Sequence, residues 1–178
     1  NANTFFTASN QEAYWRSING YQNFALTNEG RARVIYVGAN DGMLHAFDST
    51  EDGKGKELWA FVPPFIAARL PELVNEDLDG LPGGRGGTNA IFAVDGSPVV
   101  HDMYIRGLKS DGTWEAIGQK SWHTILFIPY GRGGNGFSVL DVTEPEEPLH
   151  VFSLYNDKER GRVLVAKHNG KILNDDEA

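Results

Sequence analysis

"YGRGGNGFSVLDV", residues 130–142, is the stretch on which the fold turns. Gly131, Gly133 and Gly136 match the G-x-G-x-x-G of a dinucleotide-binding loop, residues 124–128 form a strand-like run before it, and Asp157 stands about where a ribose-binding acid belongs. Such a loop works only when a helix starts at its last glycine, because the helix N-terminus carries the pyrophosphate. Here Gly136 is followed by Phe-Ser-Val-Leu-Asp-Val-Thr, which is β-prone, and then by Pro145 and Pro148. No helix fits there. The glycines read as a loop joining antiparallel strands, and the dinucleotide reading falls. A phosphate-binding Walker loop fails too, since no Gly-Lys-Ser/Thr occurs.

Working outward, the same grammar occurs twice. "VIYVGANDGMLHAFDSTEDGKGKELWAF" and "ILFIPYGRGGNGFSVLDVTEPEEPLHVF" each read strand, glycine turn, strand ending in Asp, polar turn, strand ending in an aromatic residue, with Phe47-Asp48 aligned to Leu140-Asp141. Asn40-Asp41-Gly42 is a hairpin signal between strands at 34–38 and 43–47, and a third strand spans 57–62. Further strands are expected at 90–94, 99–105, 122–130, 136–142 and 149–154, then a hairpin with Asn169-Gly170 at its tip. Repeated antiparallel units of about four strands are propeller blades, which bury their faces only against neighbouring blades. The expected fold is therefore all-β: antiparallel β-propeller blades of a partial or incomplete propeller, three to four blade equivalents, with short helical insertions.

Residues 1–30 form an N-terminal segment with a helix over 9–18, where Ser9 and Glu12 have the spacing of a capping box. Residues 31–178 carry the blades, interrupted by an insertion at 64–88 with a short helical piece at 65–70. Helix is expected only at 9–18 and 64–72.

Composition narrows the function classes. The 21 glycines among 178 residues, about 12% against a usual ~7%, suit a chain of many tight turns. A net charge of −8 and the lack of a basic run speak against nucleic acid as a partner. With no cysteine, disulfides, thiolate metal sites and cysteine nucleophiles are excluded. No apolar stretch approaches the ~20 residues of a membrane span. The chain opens on Asn1 without a signal-peptide pattern and reads as a piece of a longer protein.

The strings "YVGANDGMLHAFD", "ELWAFVPP", "FAVDGSPVVHDMYI" and "WHTILFIPYGRGGNGFSVLDVT", in this order over residues 33–165, resemble the C-terminal propeller domain of the type IV pilus tip adhesin and biogenesis family, of PilC/PilY type. The first unit also resembles the blade repeat of pyrroloquinoline-quinone enzymes. The family's glycine-rich loop corresponds to Gly131-Arg132-Gly133-Gly134-Asn135-Gly136. The resemblance implies a module at the cell surface or pilus tip, outside the cell. It implies roles in adhesion and in pilus extension and retraction, and calcium binding in some members. The partners it implies are minor pilins or other pilus-tip proteins and a host or abiotic surface. No full calcium loop of the family's D-x-D/N-x-D-G-x-x-D type is present, which puts that property in doubt here.

The expectation drawn is a non-catalytic adhesion and assembly module. The alternatives are a quinone-dependent dehydrogenase-like propeller, weakened by the absent cysteine pair and the short chain, and a structural piece of another extracellular or viral assembly. For metal, Asn75, Asp77 and Asp79 followed by Gly80 match the start of an EF-hand-type calcium loop, but Gly83 and Gly86 stand where later ligands belong. A weak calcium site and a solvated acidic loop both remain open. The five histidines show no metal spacing. Ser97, His101 and Asp102 offer hydrolase side chains without the strand–turn–helix setting of a nucleophile. Trp59 and Trp122 stand at blade-repeat positions and read as core, not as a platform for a planar ligand.

Overall fold

The computed structural model describes residues 8–73 and 92–174. Two antiparallel sheets stack on each other. The smaller contains β1 (Val34–Gly38), β2 (Leu44–Asp48) and β3 (Glu57–Phe61) in sequence order. The larger is a six-stranded meander of β4 (Val99–Ile105), β5 (Ser121–Pro129), β6 (Gly136–Asp141), β7 (Leu149–Asp157), β8 (Arg162–Lys167) and β9 (Ile172–Asn174). The strands are the β-branched and aromatic runs, and most of the hairpins close where a residue accepts positive φ. Gly42 has φ 92°, and the Met43 N–H donates to Asp41 Oδ1 at 3.0 Å, fixing the Asn40-Asp41-Gly42 turn.

The repeat read from the sequence is reproduced in register. Asp48 pairs with Val34 as Asp141 pairs with Ile125. A bulge falls between Ala46 and Phe47 and, at the equivalent place, between Val139 and Leu140. Each terminal Asp then clasps a Thr two residues on: Thr50 N–H and Oγ1 donate to Asp48 Oδ1 at 2.8 and 2.6 Å, and Thr143 N–H and Oγ1 donate to Asp141 Oδ1 at 3.0 and 2.6 Å. A carboxylate taking both bonds turns the chain sharply out of the strand.

The main core lies between the sheets. Leu44, Leu126, Ile128, Leu140 and Val142 are buried there, with Tyr36, Trp59 and Phe61 packed against them. Full burial of side chains of this size stabilises by about 1.5–3 kcal/mol each. Trp59 Nε1 donates to the Pro145 carbonyl at 2.7 Å, tying the small sheet to the turn after β6. On the far face of the larger sheet, Ile125, Val139 and Val151 form a second cluster.

Four expectations are corrected. The strand at 90–94 is absent over its described part: Phe92–Val94 has no strand pairing, and residues 90 and 91 lie outside the described residues. Ala93 and Val94 are nonetheless core, because the chain wedges between two glycines. A Cβ on Gly38 would overlap the Val94 carbonyl, and one on Gly133 would overlap Ala93 backbone. The helical piece at 65–70 is a 3₁₀ helix over Ala67–Leu73, which Pro71 does not disrupt as it would a longer α-helix. The N-terminal region holds two helices, α1 (Ala8–Ile18) and α2 (Tyr21–Thr27), hinged at Gly20 with φ 69°, so helix is not confined to 9–18 and 64–72. The described strands form two sheets in place of three to four blade equivalents, because the Asn169-Gly170 hairpin extends the second sheet. Among the described residues, no helix is long and apolar enough to cross a membrane.

Candidate functional site

The larger sheet gathers one polar cluster that the sequence did not announce. Ser121 and His123 lie two apart on β5, hence on one face, and Asp141 ends the neighbouring β6 on that face. His123 Nδ1 is 2.5 Å from Asp141 Oδ2, and His123 Nε2 is 2.8 Å from Ser121 Oγ. This is the connectivity of a Ser-His-Asp hydrolase triad.

The fourth member changes its chemistry. Ser121 Oγ donates to Glu115 Oε1 at 2.6 Å. Glu115 belongs to the connection between β4 and β5, and its other oxygen accepts the Gly107 N–H at 2.8 Å. The hydrogen bond to Asp141 raises the His123 pKa against the opposing effect of burial. Burial pushes the Asp141 carboxyl up, but hydrogen bonds from His123 and Thr143 hold it below its usual value. Glu115 is likewise lowered, its desolvation outweighed by Ser121 and the Gly107 N–H. The consistent proton arrangement is an imidazolium donating to Asp141 and Ser121, with Ser121 donating onward to Glu115. In that arrangement the serine hydrogen points to Glu115 and not to His123. A cleft of about 250 Å3 opens beside the cluster, lined by His123, Asp141, Thr143, Glu144 and Glu147 among others, but not by Ser121. The geometry is a clamp on the 106–120 connection.

The remaining sequence candidates separate. Asn75, Asp77 and Asp79 lie outside the described residues. Among the described residues, no group of three or more His, Asp or Glu side chains is arranged to hold a metal ion. His101 and Asp102 are adjacent on β4 and so face opposite ways; Asp102 accepts bonds from Tyr21 Oη at 2.6 Å and Thr124 Oγ1 at 2.7 Å. His45 bridges Asp41 and Glu57 at 2.9 and 2.7 Å, and the Glu57 bond leads in raising its pKa. His150 bonds the buried Ser153 at 2.8 Å, and burial lowers its pKa. Trp59 packs on the core as read, and Trp122 is held edge-on by Tyr21 with ring centroids 4.8 Å apart. The clamp was missed because Glu115 reaches Ser121 and the Gly107 N–H only when the β4–β5 connection folds back. The signal that points to it is the Ser-x-His on one strand with an Asp ending the next.

Stacked antiparallel units that repeat a bulge and an Asp-x-Thr clasp define a β-propeller module. The family model described as the PilY1 beta-propeller domain matches residues 8–170, and the chain belongs to that family. It is similar to the type IV pilus biogenesis factor PilY1 of Pseudomonas aeruginosa, 36% identical over 158 residues that make up 85% of this chain and 12% of that protein. A homologue from Xylella fastidiosa is 38% identical over 133 residues, 75% of this chain and 9% of that one. The crystal structure of the P. aeruginosa PilY1 C-terminal domain aligns with a TM-score of 0.48 and 32% identity, covering 86% of this chain and 26% of that chain. The chain thus spans about an eighth or less of the length of these full-length relatives.

Proposed function

We propose that this chain is a non-catalytic adhesion and assembly module of a type IV pilus-tip protein, displayed outside the cell, contacting minor pilins or other tip proteins and a host or abiotic surface through its loops. The observation that carries the reading is the clamped 106–120 connection. Glu115, Ser121 and His123 fix its base, its own Leu108 is buried, Trp114 packs against His168 and Arg106, and its outer part presents Ile117, 91% exposed. An apolar side chain held outward on an anchored loop is a contact element. A weak calcium site at Asn75, Asp77 and Asp79 belongs to the same reading.

The test is recovery of the full-length protein with sheared pili. Ile117→Asp is expected to lower recovery without moving the melting temperature; recovery equal to wild type sinks the loop as a contact. A hydrolase reading, whose connectivity Ser121, His123 and Asp141 share, is decided by a fluorophosphonate probe. Labelling that disappears in Ser121→Ala would replace the non-catalytic proposal.

A further inference from the structure

A second concavity, a groove of about 370 Å3, runs between α1 and β4. Its aromatic members differ in freedom. Trp122 is fixed, its Nε1 donating to the Asn19 carbonyl at 2.8 Å and its ring packed on Tyr21 and Tyr104. Trp15 reaches in from α1 and is 59% exposed; Met103, 40% exposed, comes from the strand opposite. Interleaved with these apolar surfaces are Glu12, Asp102, Arg16 and Lys120, two carboxylates and two cations, with His101 Nε2 3.7 Å from Glu12 Oε1.

The charge balance selects the ligand. Two charges of each sign, with Glu12 paired to Arg16 at 2.8 Å and Asp102 accepting from Tyr21 and Thr124, leave no net charge to draw in a phosphate, a carboxylate or an ammonium ion. A wholly apolar ligand would strip water from Glu12 and Lys120 without replacing their hydrogen bonds. What remains is a neutral molecule with one apolar face and a rim of hydroxyls. A pyranose ring has that form: its axial C–H groups lie against the electron-rich face of an indole while its hydroxyls reach carboxylate, imidazole and ammonium groups. We propose that this groove binds a neutral pyranoside, stacked on Trp15 and hydrogen-bonded by Glu12, His101 and Lys120. The proposal rests on the adhesion reading and gives the surface ligand a chemical class.

Saturation-transfer NMR on the full-length protein tests it, with methyl β-glucopyranoside, methyl β-galactopyranoside and methyl α-mannopyranoside as neutral probes. N-acetylneuraminic acid and a short Phe-containing peptide serve as anionic and peptide probes. Transfer to the ring C–H protons of at least one neutral glycoside is expected, with affinity reduced about tenfold in Trp15→Ala, the scale of one lost stacking contact. Met103→Ala serves as a second variant at an exposed site. No transfer from any neutral glycoside, equal transfer in both variants, or preference for the acid or the peptide overturns the proposal. Wild-type protein that associates with pili yet binds no glycoside refutes the groove and leaves the assembly reading standing. Trp15-dependent binding in a protein that does not associate with pili does the reverse.

Discussion

His123 and Asp141, on adjacent strands of the larger sheet, are joined Nδ1 to Oδ2 at 2.5 Å, and through them the β4–β5 connection is fastened to the sheet. The bond contributes to the pH behaviour of the fold. A histidine whose pKa is raised on folding stabilises fully below its unfolded value of about 6.5, and that stabilisation is lost as pH rises through the folded value. Asp141, lowered on folding, stabilises above its unfolded pKa, and its contribution is lost as pH falls through the folded value. His123→Ala is therefore expected to lower the melting temperature most in mildly acidic buffer, and progressively less as pH rises past the His123 pKa. Calorimetric scans across that range check it; a difference independent of pH contradicts the ion-paired assignment.

Asp141→Asn removes the charge and leaves the His123 imidazolium without its partner. Breaking a largely buried pair on one side costs about 3–5 kcal/mol, and the part-exposed imidazole puts this case at the lower end. Urea unfolding measures it, and a shift of a few tenths of a kcal/mol would mean the bond is idle.

The Asp-x-Thr clasps that end β2 and β6 differ in burial. Thr143 Oγ1 donates to Asp141 and also accepts the Thr124 N–H at 2.9 Å, so Thr143→Ala orphans the Thr124 N–H, strips one of the two bonds at Asp141 Oδ1 and is expected to cost about 1–3 kcal/mol. Thr50 Oγ1 likewise donates to Asp48 and accepts the Gly53 N–H at 3.1 Å, but at a more exposed clasp, so Thr50→Ala is expected to cost less. The reverse order in urea midpoints would show that the shared motif is not stabilising through these bonds.

Gly133→Ala and Gly38→Ala each push a methyl into the backbone of the 93–94 wedge. Overpacking against backbone costs about 1–3 kcal/mol, whereas Gly30→Ala meets nothing within 4 Å and is expected to be silent. Equal thermal midpoints for the three variants would refute the wedge.

Calcium at Asn75, Asp77 and Asp79 is decided by calorimetric titration of the wild type against Asp77→Ala/Asp79→Ala. Weak binding lost in the double variant is expected; identical heats exclude the site.

The sequence carried the repeat because blades are local objects. Strand, turn and clasp lie within about thirty residues, so Asn40-Asp41-Gly42, the Asp48 and Asp141 strand ends, and the failure of Gly136 to start a helix could all be read in line. The 3₁₀ turn at Ala67–Leu73 was half legible: apolar spacing announced a helical segment, but Pro71 and tertiary packing chose the tighter form. Trp59 was legible as core from its place in the repeat.

By itself, then, the sequence determined that this protein is built of antiparallel blades, since side-chain alternation and turn chemistry act between near neighbours along the chain. Tertiary structure alone decided where its polar and aromatic groups meet. Glu115 reaches Ser121 only after the β4–β5 connection folds back, Trp15 faces Met103 only once α1 docks, and Ala93 enters the core without a strand because Gly38 and Gly133 leave room for it. These contacts depend on closing long loops and on free volume between sheets, quantities that no spacing along the chain encodes.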